Sequence, residues 1–160
     1  MRTIIAPAAA ALMLATPVFA QTAPNAVTIS STVQAVKDVT DAKGVKKRIL
    51  VEPTSVVPGT PLVIWVTYKN TSAKAVSSFV INNPVNTSLD FTGFGDNSSW
   101  ATVSVDGGKT YGPLATLKVT KADKTIRLAI PADVTNVRWS FAKPIAPNVG
   151  GVLSFYGVVK

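Results

Sequence analysis

The sequence predicts an all-β protein, and three observations carry that prediction. Apolar residues recur at every second position in one short run after another, the period of a strand with one buried face. Turn-forming residues, among them ten glycines and eleven prolines in 160 residues, break the runs at close intervals. After the first twenty residues no stretch shows the three-and-four spacing that an amphipathic helix requires.

Residues 1–20 read as a secretory leader. Arg2 supplies the positive start, residues 4–15 the apolar stretch, and Val18-Phe19-Ala20 a small-residue cleavage site before Gln21. Pro7 and Pro17 interrupt the apolar run, which falls short of the roughly 20 residues needed to span a bilayer. Cleavage after Ala20 is expected, leaving residues 21–160 as one domain. A chain of that size buries roughly two thirds of its unfolded surface in a single core.

The first strand carries Val27, Ile29, Val33 and Ala35 on its apolar face, alternating with Thr28, Ser30, Thr32 and Gln34. Asp41-Ala42-Lys43-Gly44 is a turn, and Ile49 and Val51 return the chain as the second arm of a hairpin. Pro53, Pro58, Gly59 and Pro61 mark a loop. Residues 62–69 follow as the central strand, with Leu62, Ile64, Val66 and Tyr68 facing one way and Val63 and Trp65 the other, both faces largely covered.

Phe79 and Ile81, then Leu89 and Phe91, give two short strands around the Asn83-Pro84 turn. Val103 and Val105 lead into Asp106-Gly107-Gly108-Lys109, whose glycines suit the positive backbone angles of a tight turn. Two half-buried strands come next. Ile126, Leu128 and Ile130 alternate with Thr125, Arg127 and Ala129, and Val137, Trp139 and Phe141 alternate with Arg138, Ser140 and Ala142. After Gly150-Gly151 the last strand places Leu153, Phe155 and Val159 opposite Ser154, Tyr156 and Lys160. Seven to nine such strands predict an antiparallel β-sandwich, of which the immunoglobulin-like arrangement is the commonest at this length. An outer-membrane barrel fits less well, because these strands are short, Pro-broken and end in Lys160 rather than an aromatic residue.

Composition removes several chemistries. Cysteine and histidine are both absent. No disulfide framework or lipid-modified cysteine follows, and neither does a Ser-His-Asp triad or the usual zinc, copper or haem ligand set. The formal charge is +8; losing Arg2 with the leader leaves fifteen basic against eight acidic residues, a net +7. Such a surface suits solubility first, and outside the cytoplasm it also favours lipid headgroups or anionic envelope polymers over nucleic acid. Only Lys46-Lys47-Arg48 cluster.

The remaining motifs each carry a plainer reading. The segment Ser104-Val105-Asp106-Gly107-Gly108-Lys109-Thr110-Tyr111 resembles the aspartate box of sialidase-type propellers, in which the Asp side chain bonds its own turn; one copy in a chain this short implies a well-made turn. Asp38, Asp41, Asp96, Asp106, Asp123 and Asp133 sit in turns or at their edges, where aspartate bonds its own backbone, and Glu52 and Asp90 show no partner by spacing for hydrolytic chemistry. Asp96-Asn97-Ser98 offers one carboxylate where calcium wants several ligands. Asn70-Thr71-Ser72, Asn86-Thr87-Ser88 and Asn97-Ser98-Ser99 match the N-glycosylation pattern. Trp100, Tyr111 and Tyr156 are candidates for a carbohydrate or partner patch, the plainer reading being that such aromatics pack across strands within the sheets.

Taken in order, Val57-Pro58-Gly59-Thr60-Pro61-Leu62, the strand to Tyr68, Asn70-Thr71-Ser72-Ala73 and Val80-Ile81-Asn82-Asn83-Pro84 resemble the conserved repeat domain of bacterial secreted and surface proteins catalogued as domain of unknown function eleven. The likeness runs over residues 51–160 and departs at Ser72, where glycine is usual, and at Asn83, where aspartate is usual. It implies an immunoglobulin-like sandwich in the envelope or outside the cell, without a known activity. The expectation is therefore an exported, non-enzymatic structural or binding module, periplasmic, surface-bound or released. It has no catalytic residue, cofactor or metal, no transmembrane segment in the mature chain, and an envelope protein or anionic polymer as partner. Two alternatives stand: a fibre subunit assembling through edge strands, with residues 21–37 added to a neighbour's sheet, and a small polysaccharide hydrolase.

Overall fold

The structure, a computed structural model, describes residues 26–95 and 100–160. The leader expected over residues 1–20 and the Asp96-Asn97-Ser98 loop lie outside them. The described chain is mostly strand: β1 (Val27–Thr40), β2 (Lys46–Val51), β3 (Pro61–Asn70), β4 (Val80–Pro84), β5 (Leu89–Phe94), β6 (Ala101–Ser104), β7 (Lys118–Thr120), β8 (Ile126–Leu128), β9 (Asn136–Ser140) and β10 (Gly150–Val159). Single turns of 3-10 helix lie at Leu114–Thr116 and Pro131–Asp133. Among the described residues no helix is long and apolar enough to cross a membrane.

All pairings are antiparallel. One sheet runs β2-β1-β3-β10-β5, a second β4-β9-β6, and β7-β8 form a separate two-stranded ribbon. The first two sheets bury a common core. Leu62, Ile64 and Val66 of β3, Leu153 and Phe155 of β10 and Phe91 of β5 meet Ile81 of β4, Val137 and Trp139 of β9 and Val103 of β6. Trp139 is the pivot, its ring centroid 5.8 Å from Phe94 and 6.3 Å from Phe155. A second aromatic group closes one end, where Phe141 meets Tyr68 edge-on at 4.8 Å and Trp100 at 4.7 Å. Burial raises the pKa of the Tyr68 hydroxyl.

The polar anchor of this core is Asn70, at the end of β3 and 0% exposed. Its amide nitrogen donates to the carbonyls of Lys74 (2.8 Å), Ile145 (2.8 Å) and Ala146 (3.2 Å), and its Oδ1 accepts from the Ser72 amide (3.0 Å) and hydroxyl (2.7 Å). One side chain thus ties the β3–β4 loop to the loop that leads into β10. Gly150 opens that last strand where only glycine fits, since an added Cβ would lie 2.3 Å from the Tyr68 carbonyl oxygen.

Four expectations need correction. Ten strands are present among the described residues rather than seven to nine, the unanticipated one being β7. Ile29 and Val33 lie on the inner face of β1 but are exposed, because the three-stranded sheet stops short of β1 and leaves a gap between β1 and the edge of β4. Ile126, Leu128 and Ile130 point outward rather than into a core. The ribbon's other face, bearing Val119 and Arg127, is the one turned to the body, and Asp133 holds Arg127 there. The outer face of β3 is covered at Val63, as expected, but only in part at Trp65, which stays half-buried because no second layer lies over it.

Candidate binding face on the five-stranded sheet

The alternation of β3 that sends Leu62, Ile64 and Val66 into the core sends Val63 and Trp65 to the opposite face. Antiparallel register then places Gln34 of β1 and Tyr156 of β10 on either side of Val63. The Trp65 Nε1–H donates to Gln34 Oε1 at 2.8 Å, which fixes the indole against β1 while leaving the ring half open. Tyr156 is 38% exposed. Next to it the β10–β5 ladder slips between Tyr156 and Gly157, and Gly93 takes up the irregularity with φ +154°. A bulge of this kind re-aims the side chains beside it.

The β1–β2 hairpin supplies a wall. β1 pairs with β3 only as far as Ala35, and from there on it pairs with β2, so the hairpin projects beyond the start of β3. Its turn is closed by Asp41, which accepts from the Lys43 and Val45 amides at 2.9 and 3.0 Å. Those two amides and the nearby Lys47 ammonium depress the Asp41 pKa, the Val45 amide most. On the side facing Trp65 the hairpin presents Val36 and Leu50, and at its rim Arg48 donates from Nε to Asp38 Oδ1 at 3.2 Å. The result is an open hollow of about 550 Å³ with an aromatic and aliphatic floor and one ion pair at its edge.

The three aromatics that the sequence grouped do not assemble. Trp100 packs against Phe141 beside the core, and Tyr111 lies under the Arg138 guanidinium, 3.4 Å from its ring centroid, on the three-stranded side. Only Tyr156 reaches the outer face of the larger sheet, where it lines the hollow with Val63 and Trp65. The signal that could have found Trp65 was already in the alternation of β3. It was masked by the expectation that both faces of this strand are covered.

The carboxylates are engaged elsewhere. Asp106 accepts from the amides of Lys109 and Thr110, the Thr110 hydroxyl and the Ser104 hydroxyl, so its turn is self-bonded as an aspartate box implies. These contacts, led by the Thr110 hydroxyl, lower its pKa well below the carboxylate range. Asp123 accepts from the Thr125 hydroxyl and amide, Asp133 pairs with Arg127, and Asp90 pairs with Lys160. Among the described residues no three acidic side chains gather into a group suited to a metal ion. Of the glycosylation matches, Asn70 is buried with its amide nitrogen fully used, Asn86 is exposed, and Asn97 lies outside the described residues. Comparison of the chain with family models, curated proteins and solved structures finds no match.

Proposed function

We propose that the protein is an exported, non-enzymatic envelope module that holds a short oligosaccharide segment of an envelope polymer against Trp65 and Tyr156. The observation that carries the reading is the juxtaposition of an indole and a phenol on an open sheet face, bordered by Gln34 and the Asp38–Arg48 pair. A sugar ring has an apolar C–H face and a hydroxylated rim. Flat aromatic surface takes the first, and planar donors and acceptors at the edge take the second. Asp38 and Arg48 supply one acceptor and one forked donor, already oriented on each other before a ligand arrives.

An immunoglobulin-like sandwich is the finer form proposed for the two packed sheets, and export with cleavage after Ala20 is proposed with it. The leader pattern, the resemblance to the secreted repeat domain and the lack of cysteine and histidine support that reading. A non-enzymatic role is supported by the way each described aspartate is held in its own turn or ion pair. Isothermal titration against peptidoglycan fragments, uronic-acid polymers and neutral glucans tests it. At least one class is expected to bind, with affinity falling tenfold or more in Trp65→Ala and in Tyr156→Ala while the folded state is kept. Failure of every class, or binding indifferent to both substitutions, would contradict the reading.

A second reading, assembly by strand addition, is favoured by one observation. Because β2 pairs with β1 only from Ala35 onward, residues 27–34 present an edge with no strand beside it among the described residues. Through its other edge the same stretch is already paired with β3, so a neighbour would add to it rather than receive it. Light scattering after size exclusion should then show concentration-dependent association that Ser30→Pro abolishes; a strict monomer at all concentrations would exclude it.

A further inference from the structure

We propose that the β7–β8 ribbon is a docking finger for an anionic lipid surface. Register puts Lys118 opposite Leu128 and Thr120 opposite Ile126 on one face of the ribbon, with Val119 and Arg127 on the other. Arg127 is pinned on the body side: its guanidinium forks onto Asp133, with Nη2 2.7 Å from Oδ1, and Asp133 also accepts from the Ile130 amide at 2.8 Å. That clamp sets which face looks outward. On it Ile126 is 66% and Leu128 59% exposed, and Ile130, two residues past the strand, is 51% exposed.

The cations are arranged around this apolar face. Lys118 sits on it, and Lys121 and Lys124 flank the hairpin turn, which is closed by the Lys121 amide donating to the Thr125 carbonyl at 2.8 Å. None of the three is in an ion pair among the described residues, whereas Arg127 is neutralised by Asp133. Asp123, the acid in the turn, is occupied by the Thr125 hydroxyl and amide. The finger therefore offers three large aliphatic side chains inside a net positive fringe.

That combination selects its partner. Against a hydrated polyanion the lysines would be satisfied and the aliphatic side chains would stay in water. At the boundary between headgroups and acyl chains both are satisfied, the apolar face buried and the ammonium groups among anionic headgroups. Each lysine near such a surface strengthens binding roughly fivefold.

The chain has no cysteine, so a single Ala122→Cys at the turn can carry an environment-sensitive fluorophore, with Ser55→Cys in the β2–β3 loop as the control. The full chain purified from exporting cells is mixed with phosphatidylcholine vesicles containing roughly one third phosphatidylglycerol, with and without brominated acyl chains. The label at 122 should shift to the blue and be quenched by bromine, the label at 55 should do neither, and neutral vesicles should give no shift. A Lys118→Gln, Lys121→Gln, Lys124→Gln variant should bind on the order of a hundredfold more weakly. Ile126→Ser with Leu128→Ser should abolish quenching while circular dichroism stays unchanged. Equal response at both labels, equal response on neutral vesicles, or silence at position 122 would overturn the proposal.

Discussion

Replacing Asn70 by Ala removes the most heavily bonded buried side chain in the protein, and the structure fixes what that costs. Of the carbonyls it serves, Lys74 O keeps the Ser72 hydroxyl and Ile145 O keeps the Val76 amide. Ala146 O likewise keeps the Val149 amide, so the Ser72 amide is the group left without its partner, and a small void opens at the end of β3. The unpaired Ser72 amide, the donor lost to each of three carbonyls and the lost packing amount to about 2–3 kcal/mol. Asn86 is the control, since its Oδ1 accepts from the Ser88 amide at 2.8 Å in the same kind of turn but in solvent. Asn86→Ala should cost under about 1 kcal/mol. Urea unfolding followed by tryptophan fluorescence measures both. A difference between the two variants smaller than about 1 kcal/mol would refute the view that burial, rather than the turn itself, makes Asn70 matter. Asn70→Asp, which aims an anion at three carbonyls, should cost more than Asn70→Ala at neutral pH and recover relative to wild type as the acid is protonated.

Three further outcomes follow from the same packing. Trp139→Ala, at the pivot between the sheets, should cost about 3–5 kcal/mol in the same unfolding assay. Trp65→Ala on the open face should cost far less than that. Gly150→Ala should destabilise by roughly 1–3 kcal/mol, because the new methyl meets the backbone of β3 rather than a movable side chain. The depressed pKa values of Asp41, Asp106, Asp123 and Asp133 link stability to pH with one sign. Each contributes fully above the ordinary carboxylate range and loses that contribution as pH falls toward its folded value. Stability should therefore begin to fall as pH enters the ordinary carboxylate range and keep falling below it, and Asp106→Asn should flatten part of the slope.

The period-two pattern made the strands of the packed core legible, because there the alternating residues face a second sheet. Leu62, Ile64, Val66, Val137, Trp139, Leu153 and Phe155 all fell on the expected faces. The same pattern misled at Ile29, Val33, Ile126 and Leu128 for one physical reason. Alternation says which side chains share a face, and the extent of the opposing layer decides whether that face is covered. The three-stranded sheet ends before β1, and the ribbon is oriented by the Arg127–Asp133 clamp rather than by burial of its aliphatic face. Strand β7 escaped notice because its three residues hold one apolar side chain, Val119, whereas the equally short β8 sits in a longer alternation from Thr125 to Ile130. The binding face was hidden differently. Trp65 and Tyr156 are separated by most of the chain, and only the pairing of β3 with β10, which sets Tyr156 opposite Val63 and diagonal to Trp65, brings them to one hollow. Trp100 and Tyr111, close in sequence, were the more visible pair, yet packing against Phe141 and Arg138 occupies them both.

The indole N–H signals of Trp65, Trp100 and Trp139 give the most direct test of the binding face, read by nuclear magnetic resonance during titration with an oligosaccharide that binds. Trp65 and the side-chain amide of Gln34 should move together while Trp139, sealed between the sheets, stays still. Movement confined to Trp100, or an unmoved Trp65 at saturation, would contradict the assignment of the site.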